Sequence, residues 1–463
     1  MARIAVFIDH DIMVRHFVLS GVLSPLAARH DLVFVFPEGH KRVQSDVASL
    51  GLRRTRTITV SPARMYLYRR LYHATVLRNM RGTVRHHREA TRRVWRELLG
   101  GRAFWRSWLC SWPSTYPLYK AHMLAKIGES EALSALLREE RPDVILHPTV
   151  LEGLFVSDLV RWGEQHGVPT VFIMNSWDNP ATKAMLVGHP TRLVVWGEQT
   201  RQHAIRHMGV PPDRIVPLGA AQFEVYRRPP TERPEEYRRR LGIPPGRRVL
   251  LYAGSSKGLN ETNHLLRLEQ AIERGELPEC SVVYRPHPWR VYPPDEVDFH
   301  ACRWNHVILE PCMEACYRLS REGTRMRVDL ARTDDTHSTL SAVDAVISPL
   351  STILLEAALH GKPVAAYLPD EDMKTNRHLS TVASMAHFAE FFEQVDCIRC
   401  EQPDQLIQDC RRLLDRTGEP DMGERLRKQC DYFIEPSDRG YASRLDDLLL
   451  SLVGADAGSH ARG

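Results

Sequence analysis

Asp344-Ala-Val-Ile-Ser-Pro-Leu-Ser-Thr-Ile-Leu-Leu-Glu-Ala-Ala-Leu-His-Gly-Lys-Pro-Val-Ala-Ala-Tyr367 reads as strand, loop, helix and strand. Ala345 to Ile347 form a short apolar run suited to a buried parallel strand, Pro349 interrupts it, and Ser351-Thr352 stand where a helix would begin. The first N–H groups of a helix lack intrahelical partners and carry roughly half a positive charge, so a phosphate fits there. Glu356 lies one turn further along, placed to accept hydrogen bonds from sugar or ribose hydroxyls. Gly361 ends the helix and Pro363 opens the next strand. The alternative is that Ser351 and Thr352 are ordinary N-caps and Glu356 faces solvent.

Upstream, Arg285-Pro-His-Pro288 directly follows the apolar strand Cys280-Ser-Val-Val-Tyr284. A strand ending in His-Pro, then Thr352-x-x-x-Glu356-Ala357 with a downstream Gly-Lys-Pro, resembles the C-terminal half of GT-B-fold transferases. The echoes are of bacterial capsule and surface polysaccharide glycosyltransferases, with CDP-glycerol glycerophosphotransferases and non-hydrolysing UDP-N-acetylglucosamine 2-epimerases as relatives. The motifs span residues 245–370. The resemblance implies an α/β fold of GT-B type: two Rossmann-like, doubly wound domains with a cleft between them, the second holding a nucleotide-sugar donor and the first presenting the acceptor.

At 463 residues the chain is too long for one core, which predicts two domains. Hydrophobic residues at 43% and charged residues at 26% match a folded protein rather than a disordered one. No apolar run reaches the ~18 residues that cross a bilayer, and the first residues read as a strand rather than a signal peptide. The expectation is a cytoplasmic protein, working at the inner face of the membrane. Nine scattered cysteines argue against disulfides; Cys397-x-x-Cys400 and Cys312-x-x-x-Cys316 each have the spacing of half a zinc site but lack a compact second pair.

Taken in order, Met1 to Ile8 is a buried strand, Asp9-His10-Asp11 its exit loop, and Asp31 to Phe36 the second strand, which opens a parallel doubly wound sheet. No G-x-G-x-x-G follows the first strand, so NAD and FAD are disfavoured. Residues 61–128 interrupt the alternation with an inserted helical region. Twelve arginines lie between Arg64 and Arg106 against only Glu89 and Glu97, interleaved with Trp105, Trp108 and Trp112. This mixture suits an anionic membrane surface or an acidic acceptor's path, or else a solvated helix whose tryptophans pack inward; no recognition motif points to nucleic acid. Further strands are expected at Pro142 to His147, Pro169 to Met174, Leu193 to Trp196 and Arg325 to Asp329. The loop from Asn175 through Asp178 and Asn179 is dense in polar side chains where open α/β sheets bind ligands. The expected domains are 1–228, a proline-rich linker at 229–246, a donor-binding domain at 247–420, and C-terminal helices with a tail at 421–463.

Gly254-Ser255-Ser256-Lys257, after the strand beginning at Arg247, suits close backbone approach to a phosphate, with Lys257 as the charge. Arg285 and His287 join this donor-binding set with Ser351, Thr352 and Glu356. Candidates for the base that activates the acceptor are Asp9, His10, Asp11 and Glu152, with Asn175, Asp178 and Asn179 on the acceptor side. The function expected is transfer of a sugar from a nucleotide-sugar donor to a cell-surface polysaccharide or lipid-linked acceptor. Glycerophosphate transfer, 2-epimerisation, and sugar or nucleotide binding without turnover remain open. No cofactor and no metal are expected: Asp9-His-Asp11 and Asp370-Glu-Asp372 have the Asp-x-Asp spacing, but the latter reads as a helix-capping loop.

Overall fold

The computed structural model describes residues 1–39, 43, 45–82, 84–98, 101–149, 155–183, 186–256, 259–288, 290–323, 332–369, 372 and 377–459. Glu152, Lys257, Asp370 and the strand expected at Arg325 to Asp329 lie outside these residues. The chain divides into two compact units, Met1–Glu224 with Tyr432–Gly463, and Val225–Asp431.

The first unit holds seven parallel strands: β1 (Arg3–Phe7), β2 (Asp31–Pro37), β3 (Thr55–Ile58), β4 (Val144–His147), β5 (Thr170–Ile173), β6 (Arg192–Val195) and β7 (Ile215–Pro217), in the order β3-β2-β1-β4-β5-β6-β7. Side chains alternate between faces with the period of two that a strand imposes. Ala5, Phe7, Val33, Val35, Ile145 and Phe172 join one core, while Ile4, Val6, Leu32, Phe34, Val144 and Leu146 join the other. Both faces are covered, which is why these strands read as continuous apolar runs. The last helix, Tyr441–Ser459, supplies Tyr441, Leu445 and Leu449 to the second of these cores. Its Asp446 pairs with Arg29 and His30, each at 2.5 Å. Gly197 is required at its position because a Cβ there would lie 2.7 Å from the Phe433 carbonyl.

Between β3 and β4 the inserted region is helical, as expected, with helices Pro62–Asn79, Val84–Glu97, Gly101–Leu109 and Tyr116–Ile127. Leu71, Met123 and Ile127 of this region form a small core with Val187, which precedes β6. Trp105, Trp108 and Trp112 follow one another edge to face, with centroids 5.8 and 5.5 Å apart, and the Arg81 guanidinium lies 4.2 Å over Trp112. The tryptophans are thus divided: Trp108 packs against the core of the unit, while Trp95, Trp105 and Trp112 stay exposed beside Tyr66, Leu109 and Leu118.

The second unit holds six parallel strands: β8 (Arg248–Ala253), β9 (Cys280–Arg285), β10 (Val307–Leu309), β11 (Ala345–Ser348), β12 (Val364–Tyr367) and β13 (Cys397–Cys400), ordered β10-β9-β8-β11-β12-β13. Residues 229–246 include the helix Pro234–Arg240, whose buried Tyr237 sits against Glu310 and Thr339. Cys397 and Cys400 occupy one strand three residues apart, so they point to opposite faces and cannot share a metal as a pair. No group of three metal-ligating side chains is found among the described residues.

Candidate functional site

In each sheet the strand order reverses at one place, and ligands of open α/β sheets bind outside the C-terminal strand ends there. In the second unit the reversal lies between β8 and β11. Gly254, Ser255 and Ser256 leave the end of β8, Arg285 and His287 leave the neighbouring β9, and Ser351, Thr352 and Glu356 follow β11. The topology therefore gathers the described donor-binding candidates at one edge.

Their local environments differ. The helix after β11 runs Ile353–Leu359 with Thr352 at its N-cap, and the Thr352 side chain makes no capping bond. Ser348 Oγ, at the end of β11, is buried without a hydrogen-bond partner among the described residues. A buried hydroxyl in that state costs about 1–3 kcal/mol, so it marks a place where a ligand atom is welcome. Ser348 was not singled out by sequence, because a strand-terminal serine has no periodic signature. Glu356 accepts a hydrogen bond at Oε2 from the Tyr226 hydroxyl.

Beside it stand two histidines. His337 Nε2 lies 2.8 Å from the Arg228 carbonyl, His337 Nδ1 lies 2.9 Å from His360 Nε2, and His360 Nδ1 lies 2.7 Å from the Glu356 carbonyl. Both outer partners are carbonyl oxygens, so both outer nitrogens donate. The two inner nitrogens face one another at the contact between the rings. Burial pushes His360 down to about 4, opposed by its bond to the Glu356 carbonyl and aided by His337, Lys362 and Arg427.

Two expected phosphate contacts are already engaged within the fold. Ser255 N–H donates to Glu261 Oε1 at 2.7 Å, and Glu261 also accepts from the Tyr284 hydroxyl at 2.7 Å and pairs with Arg290. A Cβ on Gly254 would lie 2.8 Å from Glu261 Cδ and closer still to Oε2, so the glycine makes room for this buried carboxylate. Arg285, also buried, pairs with Glu310 and donates to Thr336 Oγ1 at 2.8 Å. The Glu310 carboxylate holds this guanidinium protonated against the cost of burial. His287 is half-buried in the loop that follows.

In the first unit the reversal lies between β1 and β4. Asp9 follows β1 and is buried, with Oδ2 3.9 Å from Nε2 of the buried His147 at the end of β4. His147 Nδ1 lies 2.9 Å from the Phe7 carbonyl and must donate to it, which leaves Nε2 as a lone pair. That nitrogen is buried without a hydrogen-bond partner among the described residues, and burial lowers the affinity of the ring for a proton. His147 was read only as the end of a strand; the pairing with Asp9 is a product of sheet order, which brings residues 138 apart in sequence onto adjacent strands. His10 Nδ1 accepts from Ile12 N–H at 3.1 Å, and Asp11 Oδ1 accepts from Ser45 N–H and Oγ at 3.1 and 2.9 Å. Asn175, just beyond β5, is buried, as is Asn179, and both side-chain oxygens lack partners among the described residues. Asn179 Nδ2 donates to Asp178 Oδ1 at 3.0 Å, and Asp178 pairs with Lys183 at 3.3 Å.

No protein-family model matches the chain, and none of the curated proteins is significantly similar to it in sequence. Solved structures are similar in fold. The calicheamicin glycosyltransferase CalG4 matches with TM-score 0.52 at 15% identity, over 98% of this chain and 98% of that one. A UDP-N-acetylglucosamine 2-epimerase matches with TM-score 0.52 at 13% identity, over 97% and 96%. Arabidopsis thaliana UGT89C1, solved with UDP, matches with TM-score 0.51 at 12% identity, over 98% and 100%. Two parallel sheets in two units, matched along nearly the whole chain by these proteins, give this chain the GT-B fold.

Proposed function

We propose that the chain is a glycosyltransferase that moves a sugar from a nucleotide-sugar donor to a cell-surface polysaccharide or lipid-linked acceptor. The observation that carries this reading is the gathering of Ser348, Ser351, Thr352, Glu356 and His287 at the C-terminal edge beside the strand-order reversal of the second unit. A diphosphate there would meet the Ser351 and Thr352 hydroxyls and the start of the Ile353–Leu359 helix, which stabilise charge on the departing nucleotide. Glu356, oriented by Tyr226, would accept from ribose hydroxyls. Arg285, locked to Glu310, fixes the loop that presents His287.

The first unit would take the acceptor. Lone pairs on His147 Nε2, Asn175 Oδ1 and Asn179 Oδ1 all await donors, and a hydroxyl-rich ligand supplies them. Among the described base candidates we assign Asp9, because His10 spends its ring nitrogen on a helix cap and Asp11 is held by Ser45. The mechanism needs no divalent metal, since the helix start supplies the positive potential that a cation would otherwise bring to the same oxygens.

Attachment to an anionic membrane is supported by Trp95, Trp105, Trp112, Leu109 and Leu118, exposed in the inserted region that also carries the arginines. No helix among the described residues is long and apolar enough to cross a membrane. The reading is tested by turnover of nucleotide sugars in the presence of wild-type protein and of Asp9→Asn. Sugar transfer that is abolished by Asp9→Asn with donor affinity intact supports it; interconversion of a free sugar nucleotide without transfer would instead favour an epimerase.

A further inference from the structure

The helix Tyr116–Ile127 of the insertion and the helix Val156–His166 face one another across a pocket of 310 Å3. Lys120 comes from the first helix. Ser157, Arg161 and Glu164 come from one side of the second, spaced as helical neighbours three to four residues apart. The loops that lead into β6 and β7 close it with His189 and Arg214. These loops lie at the N-terminal edge of the sheet, opposite the edge that carries Asp9, His147 and Asn175.

The charges lining the pocket do not balance. Lys120, Arg161 and Arg214 are cationic and His189 can become so, against the single carboxylate of Glu164. The neighbouring Asp158 pairs with Arg64 at 2.8 Å and with the Tyr68 hydroxyl, and it attracts Arg161 as well, so it offsets that guanidinium only in part. Among the described residues, Arg161 donates only to the backbone carbonyls of Leu124 and Gly128, and Arg214 only to those of His189 and Pro190, at 3.1 to 3.5 Å. Lys120 forms no hydrogen bond or ion pair among the described residues, and His189 Nδ1 is buried without a partner. Burial and the nearby Arg78 hold the Lys120 ammonium below its ordinary range, with Glu164 opposing them; burial, Arg214 and Lys120 do the same to His189. A folded protein gains nothing from crowding cations that outnumber the carboxylates beside them in a half-enclosed space unless an anion joins them.

We infer that this pocket binds a phosphate-bearing small molecule, with Lys120, Arg161, His189 and Arg214 around the phosphate. The volume is at the lower end for ligand sites, about 300–1,000 Å3, and suits a sugar phosphate rather than a whole nucleotide sugar. The same chemistry is carried by a free phosphate ester and by the headgroup of an anionic lipid, and the insertion's exposed tryptophans leave both sources open to test.

The test follows acylation of Lys120 by acetic anhydride, read by peptide mass spectrometry, with calorimetric titration of inorganic phosphate and of pyrophosphate. Wild-type protein should bind at least one of these saturably and protect Lys120 as it does so. Arg214→Gln and Lys120→Gln should each weaken binding about tenfold, the loss of one charge-assisted contact, while circular dichroism shows both variants folded. If vesicles of phosphatidylcholine containing phosphatidic acid protect Lys120 and soluble phosphates do not, the anion is a lipid headgroup and the site stands. Lys120 acylated at the same rate with every probe, or binding undiminished in both variants, overturns the inference. Because protection is read at Lys120 itself, the outcome does not depend on whether the second unit binds a nucleotide.

Discussion

Replacing Gly254 by alanine separates two accounts of the loop after β8. If the glycine admits a phosphate, the added methyl should reduce nucleotide affinity and leave stability alone. The structure assigns it a different duty. The new Cβ would lie 2.8 Å from Glu261 Cδ, and the carboxylate cannot step aside without leaving Ser255 N–H, the Tyr284 hydroxyl and Arg290. Arg290 and Glu261 are fully buried, and Arg290 also contacts Glu296 at 2.7 Å, so displacement strands charge in the interior. Breaking such a pair costs about 3–5 kcal/mol. Because part of the network survives through Glu296, about 3 kcal/mol is expected here, or roughly 6–12 °C in the melting temperature of a unit of some 200 residues. Calorimetric unfolding of Gly254→Ala, Glu261→Ala and the double variant reads this directly. Removing the carboxylate removes the clash, so the glycine substitution should cost little in the Glu261→Ala background. Additive losses, or an unchanged melting temperature with nucleotide binding abolished, would refute the reasoning.

Acid should destabilise the fold through partly buried histidines. Burial pushes His16 down to about 3 and His360 to about 4, against 6.5 for the ordinary ring. Their stabilisation is complete above about pH 6.5 and declines as pH falls toward 4 and then 3, with His360 alone worth up to about 3 kcal/mol; melting temperatures that stay flat from pH 7 to 4.5 would contradict this. His287→Ala and Glu356→Ala should each weaken nucleotide binding by about tenfold without unfolding the protein, since both side chains are only half-buried; calorimetric titration checks it, and unchanged affinity in both would move the site elsewhere. Sedimentation with phosphatidylglycerol vesicles should exceed that with neutral vesicles, fall as salt rises, and drop in a Trp105→Ser, Trp112→Ser double variant; equal partition onto both vesicle types argues against the membrane surface. Transfer should persist in EDTA, and activity lost to EDTA and restored by Mg²⁺ would overturn the metal-independent mechanism.

The sheet architecture was legible because buried parallel strands are uninterrupted apolar runs. Val144–His147, Thr170–Ile173 and Ala345–Ser348 are buried along their whole length. Two edge strands were not legible: Thr55–Ile58 exposes three of its four residues, and Cys397–Cys400 resembled half a metal site more than a strand. At the site, the loops after β8, β9 and β11 follow from motif and strand order together. Partner choice does not. Whether Ser255 N–H faces a phosphate or Glu261, six residues on, and whether Arg285 reaches a donor or Glu310, 25 residues on, depends on side chains that meet only once the sheet is assembled. The same holds for His147 beside Asp9, and for the pairing of His337 with His360.

The central claim is that the second unit binds a nucleotide at Ser351 and Thr352. The most direct measurement is calorimetric titration of UDP, CDP, GDP and TDP into wild-type protein and into the Ser351→Ala, Thr352→Ala double variant, with a thermal-shift scan alongside. One nucleoside diphosphate should bind saturably and raise the melting temperature through mass action, and the double variant should lose most of that affinity while melting as the wild type does without ligand. Absence of binding by all four nucleotides, or undiminished affinity in the double variant, would contradict the account.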